Sequence, residues 1–422
     1  MPRLTPSTSR LAAGLLVAAG TLAGCDRVDQ LLTAETPSRL AADQLLVPQN
    51  AQLIVASAVA DYECALGGYV VASGLAAGEL TESTNTASRW AFDRREVLAT
   101  DAHYSTFGCA ALGVYTPVNT ARFSADQALA QLEGWTDQQV PNRQRLIATA
   151  AAFAGYSLVL LAEGFCSGVI QSGPELQPAA ILDSAEARFT RAITAAQAAG
   201  DQQLLNLARV GRARSRIDRG NRAGAAEDAA LVPLAFVYNA VGDANADRRS
   251  NRIFAQNGAG TGTTVAAAYR NLTVAGQPDP RVRVANGNRL AGDQLNPFFV
   301  QQKYTALTSP TPIATGVEAQ LILAEARGGA EGVAVLNALR ARPGIALPAL
   351  TAAEAADFTR ALFEERRREL FLQGNRWFDL RRGNLPLDPA PGTPYVKGGS
   401  YGTQRCWPLP DVERLANPNL RP

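Results

Sequence analysis

The sequence predicts an all-α fold of stacked antiparallel helix pairs, broken by two long irregular excursions. Three observations predict it. Apolar residues recur at helical spacing over most of the 422 residues. In the middle of the chain, a helix pair is followed by a renewed helix start about 34 to 36 residues on. Two segments, 67–123 and 233–312, lose the helical period and gather Gly, Pro, Ser and Thr.

The chain opens on Arg3 and Arg10, with no acid before Asp26, and a small apolar run over 11–19. Leu22-Ala23-Gly24-Cys25 follows. A basic start, a short apolar run and small residues before a cysteine read as a secretory signal, too short to span a bilayer. The tetrad resembles the bacterial lipobox, which implies cleavage after residue 24 and acylation of Cys25, a palmitate-type membrane anchor. Residues 25–36 then form a lipidated tether and 37–422 the folded body. No later stretch reads as a second membrane segment.

Leu40, Leu45, Leu46, Leu53, Ile54 and Ala58 mark a first helix over 37–66. Helical pattern resumes over 125–132. It strengthens from about Asn142, where Ile147, Ala150, Ala154, Leu158 and Leu161 form one stripe of a helix that is apolar on its other face too. Such a helix belongs at the centre of a core. Ala185, Phe189, Ala192 and Ile193 describe the next helix, ending at Gly200, and Leu204, Leu207, Ala208, Gly211, Ala213 and Ile217 its partner, ending at Gly220. A third begins at Arg222. Small residues at the crossings, Phe189 filling the gap, and the renewed start are the tetratricopeptide pattern. Helices return over 316–327, 332–341 and 352–372, and a Pro- and Gly-rich tail starts near Pro386.

The chain has 40 lysines and arginines and 38 acidic residues, and loss of residues 1–24 removes two arginines, so the expected mature chain has no net charge. A neutral chain has no electrostatic footprint for nucleic acid. Lys303 and Lys397 are the only lysines, a bias of the kind a GC-rich genome produces. Apolar residues at 47% supply a sizeable core. After Cys25 four cysteines remain, an even number that in an exported chain suggests two disulfides with three possible connectivities. Cys64–Cys109 and Cys166–Cys406 are the favoured pairs. Their spacing is not that of a zinc site.

Enzyme classes narrow quickly. His103 is the only histidine, which removes His-pair metal sites. Gly398-Gly399-Ser400-Tyr401-Gly402 matches a nucleophile-elbow pattern but lies in a proline-flanked tail without the strand–turn–helix context. A glycosidase needs two carboxylates, for which Glu79, Glu82, Asp93 and Asp101 are the available acids of the first excursion.

The segment Glu364-Glu365-Arg366-Arg367-Arg368-Glu369-Leu370-Phe371-Leu372-Gln373-Gly374-Asn375-Arg376-Trp377-Phe378-Asp379-Leu380-Arg381-Arg382 resembles the C-terminal signature of the SusD/RagB family of outer-membrane nutrient-binding lipoproteins. The lipobox, the run Glu318-Ala319-Gln320-Leu321-Ile322-Leu323-Ala324-Glu325-Ala326, and the tail pieces Trp407-Pro408-Leu409-Pro410 and Asn417-Pro418-Asn419-Leu420 agree with it in order. Gln373 departs from it, standing where the family commonly has Glu. Physically, Gly374 suits a left-handed break after the long helix, and Arg376 and Asp379 are spaced to pair while Trp377 and Phe378 enter the core. The charged cluster with Arg366 and Glu369 reads as a structural lock.

The resemblance implies a SusD-like α domain on tetratricopeptide-like hairpins, with no catalysis and no cofactor. It implies a SusC-like, TonB-dependent outer-membrane transporter as partner, to which the lipoprotein delivers an oligosaccharide or other nutrient. Sugars stack on flat aromatic faces. The first excursion offers Thr84, Asn85, Arg89, Trp90, Phe92, His103, Tyr104 and Phe107, with Trp90 foremost, and Tyr304, Tyr269, Phe298 and Phe299 of the second could complete a site. The competing readings are a tetratricopeptide scaffold lipoprotein binding only envelope proteins, and a lipid-anchored glycosidase. Asp26 would retain an enterobacterial lipoprotein at the inner membrane, whereas the family resemblance points to the outer one.

Overall fold

The computed structural model describes residues 42–105, 113–245 and 247–420. They divide into a short N-terminal stretch up to Val47, with one helical turn at Ala42–Leu45, and a body from Pro48 onward. Cys25, the tether to residue 36 and Cys109 lie outside the described residues, and with them the anchor and the Cys64–Cys109 pairing.

The body is built of helices: α1 (Ala51–Ala76), α2 (Tyr115–Gly134), α3 (Arg143–Gly164), α4 (Pro178–Ala199), α5 (Gln202–Asp218), α6 (Arg222–Ala229), α7 (Gly316–Arg327), α8 (Gly329–Ala341), α9 (Phe358–Glu369) and α10 (Arg376–Arg382). Helix α3 is the centre, packed against α1, α2, α4 and α5, and buried without interruption from Ala150 to Gly164. The hairpin α4–α5 closes tightly around one ring. A Cβ on Gly155 would come within 2.8 Å of the Phe189 ring, and one on Gly211 within 2.3 Å, so both glycines are needed where the three helices meet. Tyr156 meets Phe189 edge-on at 4.9 Å and donates to the Leu207 carbonyl at 2.8 Å. Asp201 and Asn221 cap α5 and α6 through the N–H groups of Leu204 and Gly224.

Four expectations are corrected. Helix α1 runs to Ala76, because every residue from Gly68 to Ala76 is buried and packing outweighs the poor helix propensity of its glycines. Helix α2 starts at Tyr115, within the first predicted excursion, with Pro117 tolerated in its first turn. The expected helix over 352–372 is divided: Ala352–Ala356 ends, and the Asp357 carboxylate caps a new start at Phe358 by accepting from Arg360 N–H. Two stretches, Pro48–Ala76 and Arg143–Gly164, are long and apolar enough to cross a membrane. The windows concerned are 72% and 89% buried within the fold, which makes them core helices.

The second excursion is organised by short antiparallel ladders. Val237–Ala240 pairs with Thr311–Thr315, and Val284–Leu290 with Pro297–Gln301. Leu80–Glu82 of the first excursion pairs with Thr263–Val265 of the second, in the register Leu80↔Val265 and Glu82↔Thr263. The two excursions are therefore sewn to each other.

The signature segment is a lock with a different key. Gly374 has φ 91° and ends the break between α9 and α10. That break brings α10 against α9, so Asp379 takes the guanidinium of Arg366 at 2.9 Å and that of Arg382 at 2.9 Å. Arg376 does not pair with it and instead points to the Phe363 carbonyl at 3.5 Å. Trp377 is wholly buried, its indole N–H donating to Gly164 O at 3.3 Å. Glu369 accepts from Arg342 at 2.6 Å and from Arg281 at 3.2 Å, and Gln373 donates back to the Glu369 carbonyl at 3.3 Å.

The tail is strapped to α3. Cys166 and Cys406 form a disulfide across 240 residues of sequence. Next to it Trp407 N–H donates to Gly164 O at 2.9 Å and Cys166 N–H to Trp407 O at 2.8 Å. The Trp407 ring then meets Tyr69, Phe92, Phe165 and Trp377, with centroids 5.4–6.0 Å apart.

Candidate functional site

Trp90 opens the short helix Trp90–Arg94, just beyond the ladder that joins the excursions. Its ring is half-buried and its N–H donates to the Thr84 carbonyl at 3.0 Å, which closes the 84–90 loop. Lys397, from the tail, sets its ammonium 5.6 Å from the Trp90 ring centre and 5.9 Å from that of Tyr395. The same ammonium pairs with Asp293 at 3.0 Å and donates to the Glu82 carbonyl. Arg89 pairs with Glu82 at 3.2 Å and donates to Gln256 Oε1 at 2.8 Å. First excursion, second excursion and tail thus meet beneath Trp90. The outer rim, from Asn85 to Ser88, is exposed, and a cleft of about 340 Å³ beside it is lined by Ser88, Ala91, Arg94 and Glu96 among others.

The predicted site residues separate into two groups. Asn85, Arg89 and Trp90 share this rim. Tyr104 and Tyr304 are interior residues. Tyr104 is buried on Phe165 and donates to the Pro408 carbonyl, while Tyr304 donates to Leu372 O at 3.0 Å. Phe92 packs edge-on against Trp407, Tyr269 is stacked on Phe371, and Phe298 is buried, so these rings anchor loops. Phe299 is partly exposed, with the Arg270 guanidinium 4.2 Å over its ring. The His103 side chain and Phe107 lie outside the described residues.

The acids offered for catalysis are occupied holding loops together. Glu82 and Asp93 are buried, and Asp93 accepts from Glu82 N–H at 2.8 Å and Tyr395 O–H at 3.2 Å. Glu79 is buried and accepts from Leu372 N–H at 3.0 Å, and Asp101 accepts from Leu98 N–H at 2.9 Å. Sequence reasoning missed Lys397, Tyr395, Asp293 and Gln256. Lys397 did carry a signal, as one of two lysines in a chain whose other basic residues are arginine.

Burial pushes the carboxyls of Glu79 and Asp93 up to about 7 each, against the pull of the N–H groups they accept from. Both protons are kept by the folded chain through a range in which the unfolded chain has lost them. Their stabilising effect is complete at acid pH and is lost as pH rises through about 7. Between about pH 5 and 7.5 the melting temperature should therefore fall, and fall less in Asp93→Asn. A thermal-melt series over that range checks it. A parent and a variant with the same slope would contradict it.

Residues 317–405 match the SusD family model. No curated protein matches the chain. Among solved structures, a SusD superfamily protein from Bacteroides vulgatus is 16% identical, with 88% of this chain and 97% of that chain covered at a TM-score of 0.66. One from Parabacteroides distasonis is 14% identical, with 91% and 99% covered at 0.67. A laminarin binding SusD-like protein is 16% identical, with 88% and 98% covered at 0.65. At such identities the likeness is one of fold over nearly the whole chain.

Proposed function

We propose that this chain, SusD-like in its fold and in its 317–405 segment, captures an oligosaccharide or similar nutrient at the cell envelope and delivers it to a TonB-dependent outer-membrane transporter. The observation that carries the reading is the whole-chain likeness to SusD structures, one of which binds laminarin. The composite rim around Trp90 supports it, because a half-buried indole braced from below by Lys397 and Tyr395 offers an aromatic face at fixed orientation. The reading makes the protein a binder; the transporter performs the energised step. The lipobox-like tetrad at Cys25 supports a lipid anchor, and the likeness to SusD proteins supports an outer-membrane address despite Asp26.

Laminarin-derived oligosaccharides and a panel of other glycans, titrated into the purified chain, test it. For a glycan that binds, Trp90→Ala should weaken affinity by about 1–3 kcal/mol with little change in the thermal melt. Glycan binding indifferent to Trp90 removes the site, and absence of any glycan binding favours the envelope scaffold. Fractionation with surface proteolysis checks the address.

A further inference from the structure

A second cavity, of about 310 Å³, has no role in the reading above. Its lining holds four cations, Arg281, Arg283, Lys303 and Arg342, against one acid, Glu369. Two of the cations are spoken for. Arg342 takes both oxygens of Glu369, at 2.7 and 2.6 Å, and Arg281 is held by Asp279 and Glu365 at 2.8 and 2.6 Å as well as by Glu369. The other two keep hydrogen-bonding capacity. Arg283 is exposed and makes no ion pair among the described residues. Lys303 is partly exposed along its stem with its ammonium buried; that ammonium has three N–H donors, and its hydrogen bond among the described residues goes to the neutral Phe371 carbonyl at 2.7 Å.

Both residues line the cavity from the same end of one ladder. Val284 is paired with Gln301, and Gln302 N–H donates to Arg283 O at 2.9 Å, so residues 283 and 303 enter the cavity from adjoining strand ends. Leu234, Val237 and Ile345 line the same cavity, and Leu234 and Val237 are 44% and 50% exposed at its edge. Two incompletely used cations beside an apolar wall suit an anion with an apolar substituent. Inorganic phosphate would leave that wall wet, whereas a carboxylate on a short branched chain covers it.

We propose that this cavity binds the carboxylate of a small amphiphilic ligand, with Lys303 and Arg283 on the charge and Leu234, Val237 and Ile345 on the apolar part. The site is independent of glycan capture at Trp90.

Calorimetric titration with 4-methylpentanoate, its uncharged amide, glucuronate and inorganic phosphate tests the proposal on the full chain. The acid should bind at least about tenfold more tightly than the amide, a difference of about 1.4 kcal/mol. Arg283→Gln, a change at an exposed position, should weaken the acid about tenfold without moving the thermal melt. Burial lowers the Lys303 ammonium to about 8, while Glu79 and Glu369 favour its charge. The arginines around it stay charged, and Glu79, itself near 7, is ionised above about pH 7.5. Affinity should therefore fall from about pH 7.5 to 9, and Lys303→Arg should bind without that fall. Equal binding of acid and amide, or unchanged affinity in Arg283→Gln, overturns the proposal. Binding of phosphate alone overturns it in favour of a plain phosphate site, and glucuronate matching 4-methylpentanoate removes the apolar half of the argument.

Discussion

Arg214→Ala should destabilise the folded chain by about 3–5 kcal/mol, because it strands buried carboxylates. Arg214 projects from α5 and meets Glu163 of α3 in a fork, Nε to Oε1 at 2.6 Å and Nη2 to Oε2 at 2.5 Å. Its remaining arm reaches Glu318 of α7 at 3.3 Å. All three residues are buried, so the carboxylates are left away from bulk solvent when the guanidinium is removed. Asp218, one turn further along α5, shows how acidic the place already is: burial, then the charge of Glu163, pushes its carboxyl well above the usual range. Urea denaturation at constant slope measures the loss as a lower midpoint. Arg214→Met combined with Glu163→Gln should recover part of it, since the damage comes from uncompensated charge. A single variant with the parent's midpoint would show that the cluster does not hold α3, α5 and α7 together.

Trp407→Ala should have an effect of similar size by another cause, about 3–5 kcal/mol from lost contact and the cavity left behind. The ring is the common neighbour of Tyr69, Phe92, Phe165 and Trp377, which come from four separated parts of the chain and share no other ring contact among the described residues. The packing leaves little scope for collapse. A Cβ on Gly164 would already lie 2.8 Å from Tyr69 and 3.0 Å from Trp407, so the surrounding backbone is at contact distance. The loss should appear as a lowered urea midpoint together with a weakened near-ultraviolet aromatic signal. Trp90→Ala, at a half-exposed rim, is the control and should move the urea midpoint little.

These contrasts mark what could be read from residue order. The α3–α5 core was legible because small residues at helical spacing, with glycines at the ends, point to one arrangement of helices. The late end of α1 was not, since three glycines within Gly67 to Gly74 look like a terminator until their burial is known. The aromatics misled for a related reason. Trp90, Tyr104 and Tyr304 are all plausible sugar platforms by type, and only burial puts the two tyrosines against Phe165 and the Leu372 carbonyl. The Asp379 pairing failed through symmetry: Arg376 and Arg382 both stand three residues from it, and spacing alone does not choose the downstream one or add Arg366 from the preceding helix. The floor of the candidate site was the least legible part. Glu82 and Lys397 lie 315 residues apart, and no local pattern relates them.

The strap of the tail onto α3 also sets an order of events in time. Phe165 and Cys166 are synthesised 240 residues before Cys406 and Trp407 reach them. Tyr69, Phe92, Phe165 and Trp377 are therefore all made before the ring that joins them. A chain released before Trp407 keeps Tyr69, Phe92, Phe165 and Trp377 without their common ring and presents that apolar surface to proteases. The last side chain of the cluster to be made is thus the one that closes it.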